Sequence, residues 1–142
     1  YRGSNILLPY FRFGNAGIGS VLIRFYNLTG EKNYKKMAEM AAEYLRKKYS
    51  ISPSLYMGMA GIGEFFLDMF TYTDEEKYLR EAHWVARRIM LFGIKRESGL
   101  TFPGENLGRI STDYGTGSSG IGLFFERLIK KGKKGRFFYD IL

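Results

Sequence analysis

Apolar residues along the chain recur at helical intervals and change character in pairs. Ile18, Val21, Leu22, Phe25 and Leu28 fall at helical spacing, which predicts a helix that Thr29-Gly30 stops. Glu31 opens a second helix, in which Tyr34, Met37, Ala38, Ala41, Ala42 and Leu45 form one face. Lys32, Lys35, Lys36, Glu39, Arg46 and Lys47 form the other. The pairing returns downstream. Ile62, Phe65, Phe66, Met69 and Phe70 mark an apolar helix, and Tyr78, Ala82, Val85, Ala86 and Ile89 are the stripe of an amphipathic one. A glycine-started apolar helix followed by an amphipathic one is what concentric layers demand, the inner helix covered on most sides and the outer half wetted. The pattern predicts an all-α fold, an α/α toroid or a helical solenoid.

Glycine spacing shows that the pairs are copies. Phe13-Gly14-Asn15-Ala16-Gly17-Ile18-Gly19 recurs 44 residues later as Met57-Gly58-Met59-Ala60-Gly61-Ile62-Gly63. The same shift carries Thr29 to Thr73, Glu31 to Glu75, Tyr34 to Tyr78, Ala38 to Ala82 and Ala42 to Ala86. A third copy, Gly117-Ser118-Ser119-Gly120-Ile121-Gly122, lies 59 residues after the second, and the extra length falls in residues 91–114. Repeats are expected at about 13–56, 57–116 and 117–142. Such units cannot bury their faces alone, and a closed ring of six or seven would take on the order of 300 residues, so a partial toroid is expected. The basic turn Lys130-Lys131-Gly132-Lys133-Lys134-Gly135 is expected to precede a plug of Phe137, Phe138, Tyr139, Ile141 and Leu142 folded back onto the core.

Composition narrows the chemistry. The 142 residues are 45% apolar and 17% aromatic, which excludes a disordered tail. There is no cysteine and one histidine, so disulfides, thiol nucleophiles and a His/Cys zinc site are excluded, and no metal is expected. Lys and Arg number 22 against 14 Asp and Glu, a net charge of +8 that favours anionic partners without choosing among them. Basic residues spread along helices with no reader motif argue against nucleic acid. No apolar run reaches the length of a membrane span, so a soluble chain is expected. The chain opens on Tyr1-Arg2-Gly3, without an initiator Met or a charged-then-apolar leader, and is expected to be a piece of a longer polypeptide.

Several segments together resemble a known family. They are the thrice-repeated Gly-x-Ala/Ser-Gly-Ile-Gly, the Leu28-Thr29-Gly30-Glu31 turn, Gly63-Glu64-Phe65-Phe66-Leu67-Asp68, Thr101-Phe102-Pro103-Gly104 and the run from Ser111 to Gly122. They are similar to the lanthionine synthetase C-like cyclase domain, and more narrowly to the C-terminal part of a class III lanthipeptide synthetase, a kinase–cyclase fusion. The resemblance implies an α/α toroid that adds cysteine thiols of a ribosomal precursor peptide to dehydroalanine or dehydrobutyrine, giving lanthionine or labionin. It implies upstream kinase and lyase domains, with ATP or GTP and Mg belonging to the kinase and no cofactor in this segment. It also implies a bacterial cytoplasmic setting and admits a homodimer; inactivity as an isolated fragment is expected. Zinc-dependent members carry a Cys two residues before the first motif glycine and a Cys-His pair directly before the second. Here those positions hold Arg12, Tyr56 and Met57, which are no zinc ligand set. A non-catalytic, peptide-binding toroid coupled to the kinase is the alternative.

Adding a thiol to a dehydrated residue needs a thiolate and a donor for the developing enolate. Arg12 is the candidate cation, and Tyr56 and Tyr114 are the candidate donors. Phe13, Asn15, Met57, Asp113 and Ser118, beside the motif glycines, are the candidate substrate-binding residues. The bland readings are that Arg12 pairs with a carboxylate, that the tyrosines pack with satisfied hydroxyls, and that Asp113 is a local cap. His83 matches Glu39 on the outer helix, away from any ring centre. The glycines suit either an anion at a helix N-terminus or close packing, the latter favoured. Gly115-Thr116-Gly117-Ser118-Ser119-Gly120 spells a dinucleotide fingerprint but follows no buried strand, so it is rejected.

Overall fold

The computed structural model describes residues 7–48 and 50–132. Helices α1 (Asn15–Thr29), α3 (Met59–Thr73) and α5 (Ser118–Ile129) stand side by side as an inner layer. Helix α2 (Lys32–Arg46) backs α1, and α4 (Glu76–Met90) backs α3. The chain is an all-α arc, part of an α/α toroid, with a short hairpin inserted before α5. None of the described helices is long and apolar enough to cross a membrane.

The turns inside the pairs explain the stop signals. Gly30 ends α1 in the left-handed region at φ 72, and its N–H donates to the Tyr26 carbonyl at 2.8 Å; Asp74 does the same after α3 at φ 56, bonding Phe70. The Thr29 and Thr73 hydroxyls donate back to the Phe25 and Met69 carbonyls and accept the N–H of Glu31 and Glu75. A two-residue connection therefore closes in the same way in both pairs.

Helix α3 is buried continuously from Met59 through Met69, because neighbours cover it on three sides. Its Ile62, Phe65, Phe66 and Met69 meet Ala82, Val85 and Ile89 of α4 and Ile121, Phe124 and Leu128 of α5 in one core. Helix α1 departs from expectation. Ile18, Val21, Phe25 and Leu28 are exposed, Val21 at 53%, although Phe65, its match 44 residues on, is fully buried. The buried side of α1 is Ala16, Gly19, Ser20 and Ile23, and α1 packs on α2 and α3. The physical reason is position: α3 has an inner helix on each side, and α1 has one only among the described residues. Met37, expected on the apolar face of α2, is exposed as well.

Residues 91–114 hold more than extra length. Strands β1 (Ile94–Arg96) and β2 (Gly99–Thr101) pair antiparallel, Ile94 opposite Thr101 and Arg96 opposite Gly99. Gly99, at φ 122, supplies the backbone that lets the Glu97-Ser98 turn close. Both strands lie almost wholly in solvent, so no alternation of apolar and polar residues announces them. Lys133, Lys134, Gly135 and the expected plug Phe137, Phe138, Tyr139, Ile141 and Leu142 lie outside the described residues.

Candidate functional site

The three inner helices start from loops of one construction. The N–H groups of Asn15, Met59 and Ser118 donate to the carbonyls of Leu8, Ser52 and Ser111 at 2.8, 2.9 and 2.8 Å, folding each loop back on its helix. A Cβ on Gly17, Gly61 or Gly120 would strike the carbonyl oxygen of Phe11, Leu55 or Tyr114, so the second glycine of every motif permits this approach. The third glycine seats a ring from the next inner helix. Phe65 lies on Gly19 and Phe124 on Gly63, both where a Cβ would be. The glycines thus serve close packing.

Hydrogen bonds then join the loops in series. The Arg12 N–H donates to the Tyr56 carbonyl and the Tyr56 N–H to the Gly115 carbonyl, each at 2.9 Å, and these three positions match under the 44- and 59-residue shifts. This ladder brings Arg12, Tyr56 and Tyr114 together. The Arg12 guanidinium lies 4.7 Å from the Phe13 ring centre and 6.0 Å from that of Tyr56, and the Tyr56 and Tyr114 rings meet edge to face at 6.1 Å. Gly115 leaves room for the Tyr56 ring, which a Cβ there would contact. Phe13 is held in the left-handed region at φ 62, and its ring is 75% exposed beneath the guanidinium. Among the described residues Arg12 has no carboxylate partner, and no protein group hydrogen-bonds the Tyr56 hydroxyl.

The remaining candidates sit in the same loops with other duties. The Ser118 hydroxyl accepts from the Phe102 N–H at 3.0 Å and donates to its carbonyl at 3.3 Å, which fastens the end of the inserted segment to α5. The Asp113 carboxylate accepts the Ser111 hydroxyl, the Thr116 N–H at 2.6 Å and the Thr116 hydroxyl at 2.7 Å. These bonds hold its pKa down to about 2 and tie the loop ahead of α5. Asn15 and Met57 are half-buried beside the motif glycines, and nothing among the described residues joins their side chains to the Arg12 cluster. His83 is exposed on α4.

A buried ion network went unread in the sequence. Arg24 of α1, Asp68 of α3 and Arg127 of α5 occupy one repeat position, related by the same 44 and 59 residues. Arg24 reaches Asp68 at 2.9 Å; Arg127 reaches Asp68 at 2.6 Å and Glu64 at 2.5 Å. Glu64, Asp68 and Arg127 are all buried. Burial, outweighing Arg127, pushes the Glu64 carboxyl up to about 7, and the two carboxylates hold the Arg127 guanidinium charged. Carrying the repeat register through charged positions as well as apolar ones would have found it.

No set of three His, Cys, Asp or Glu side chains among the described residues is placed to hold a metal ion. A groove of about 540 Å³ lies between α2 and α4, lined by Glu39, Glu43 and Glu81 and by Arg46, Lys77 and Arg80, in the outer layer and not at the Arg12 cluster. A family model described as lanthionine synthetase C-like protein matches residues 13–141. No curated protein matches the chain.

Proposed function

The chain belongs to the lanthionine synthetase C-like family, and from that premise we propose that it is the C-terminal part of a zinc-independent cyclase domain within a class III kinase–cyclase fusion. The proposed repeats are 13–56, 57–116 and 117–142. The substrate is a dehydrated ribosomal precursor peptide, and the site is the cluster of Arg12, Phe13, Tyr56 and Tyr114. Arg12, Tyr56 and Met57 stand where zinc-dependent members carry Cys, Cys and His, and an Arg-Tyr-Met set does not fit zinc. No step here runs through a metal.

One observation carries the reading: a guanidinium without a carboxylate partner stands over aromatic rings where the loops of three repeats converge. A free cysteine, with a pKa near 8.5, is about a few per cent thiolate at neutral pH. The Arg12 charge favours the thiolate of an incoming peptide cysteine. That sulfur adds to the β-carbon of the dehydrated residue, and the π electrons move onto the carbonyl oxygen as an enolate. The Tyr56 hydroxyl, aided by Tyr114, donates to that oxygen, and the proton shed by the thiol ends on the α-carbon. Asn15, Met57, Asp113 and Ser118 shape the surrounding loops and the seat of the peptide.

The test is a thiol count by alkylation and mass spectrometry on a dehydrated precursor peptide treated with the parent synthetase. Arg12→Ala is expected to slow ring closure about tenfold, the equivalent of one unit of thiol pKa, with dehydration unchanged. Ring closure at the unaltered rate, in that variant and in Tyr56→Phe, would instead support a peptide-holding toroid in which closure occurs elsewhere.

A further inference from the structure

The outer layer carries a surface that the cyclase reading does not use. Lys77, Arg80, Trp84, Arg87, Arg88 and Leu91 fall within about 100° of one another around α4 and its C-terminal residue, at intervals of three and four. Trp84 is 55% exposed, and the guanidiniums of Arg87 and Arg88 lie 5.7 and 5.9 Å from its ring centre. Lys77 pairs with Glu75 at 2.5 Å, whereas Arg80, Arg87 and Arg88 have no carboxylate partner among the described residues.

The fold does not require this face. The buried residues of α4 repeat those of α2, Ala82 for Ala38, Ala86 for Ala42 and Ile89 for Leu45. The outward ones do not: Trp84 stands for Met40, Arg87 for Glu43 and Arg88 for Tyr44. An exposed tryptophan flanked by arginines is the composition of a binding hot spot.

We propose that the Trp84 stripe docks an acidic amphipathic helical segment of a polypeptide, its carboxylates on Arg80, Arg87 and Arg88 and an apolar side chain against Trp84. Charge complementarity selects the partner, because three guanidiniums present forked donors that carboxylates satisfy in pairs. Arg80 to Leu91 spans about 16 Å, which sets the length of the docked segment at about three helical turns. Width selects a single segment over a bilayer or a duplex. Glu76 and Glu81 border the stripe, and Glu39 and Glu43 face Lys77 and Arg80 across the groove between α2 and α4, so a broad polyanion laid across the outer layer would press on carboxylates.

Trp84 is the one tryptophan of the chain, so its emission reports the stripe directly. The probe is a synthetic helical peptide of about 14 residues, long enough to match the stripe, with Glu at i, i+4 and i+7 around a central Leu. A saturable shift of Trp84 emission is expected, weakened about tenfold by Arg87→Glu with Arg88→Glu and progressively by added salt. The same peptide with Gln for Glu is expected to leave the emission unchanged. Circular dichroism checks the fold of the double variant, and Arg80→Glu repeats the test with a single exposed change. No saturable shift at low salt, an unaltered midpoint in both variants, or a response to duplex DNA or phosphatidylserine vesicles without one to the peptide would overturn the proposal.

Discussion

Arg127 bonds two carboxylates at once from a buried position, and each partner depends on it. Removing it leaves Asp68 with Arg24 alone and leaves Glu64 without an ion pair among the described residues. Arg127→Ala is therefore expected to destabilise the chain by about 3–5 kcal/mol in urea unfolding, the cost of breaking a buried pair on one side. Glu64 also links stability to pH. Its carboxyl is raised from 4.5 to about 7, so the folded chain holds that proton more firmly than the unfolded chain does. Its contribution is full below pH 4.5 and is lost as pH rises through about 7. Glu64→Gln is expected to flatten the decline of the urea midpoint across that window, and an unchanged slope would place its source elsewhere. These residues were individually visible in the sequence. Their meeting shows only when the repeat register is carried through charged positions, because charge has no helical period to trace and the partners are 44 to 63 positions apart.

Among the elements, the inner helices pack by seating one aromatic ring on one glycine. Phe124 occupies the space a Cβ on Gly63 would fill, so Gly63→Ala forces α5 away from α3 and is expected to cost about 1–3 kcal/mol. Gly122 holds the same register on α5, and nothing among the described residues lies near its Cβ position. Gly122→Ala is expected to leave stability unchanged or raise it by up to about 1 kcal/mol, since alanine lowers the helix's entropy cost. Comparing the two midpoints in one denaturant series tests the seating directly; equal losses would refute it. The repeat announces three equivalent glycines. Which of them carries weight is decided by the helix that stands next to it.

At the scale of the whole molecule, the arc presents an apolar row on α1, Ile18, Val21, Phe25 and Leu28, where a neighbouring inner helix covers the matching row of α3. A contiguous apolar face of this kind drives association. Val21→Glu with Phe25→Glu is expected to remove any rise of mass with concentration in a sedimentation series, and a rise that survives both changes would rule that face out. Helix pairing, the Thr29-Gly30 stop, the layer order and the loops that bear Arg12, Tyr56 and Tyr114 were all legible in the sequence, because they rest on local periodicity and on duplication. Two features rested on neither. The hairpin at 94–101 is exposed on both faces and leaves no pattern, and the burial of a repeat position depends on whether another repeat stands beside it. Local sequence thus determined what each unit is, since helix propensity, capping and glycine spacing act within a few residues. Only the tertiary structure decided which apolar rows become core, which charges meet and which arginines keep their charge unpaired, because those outcomes belong to contacts between units far apart in the chain.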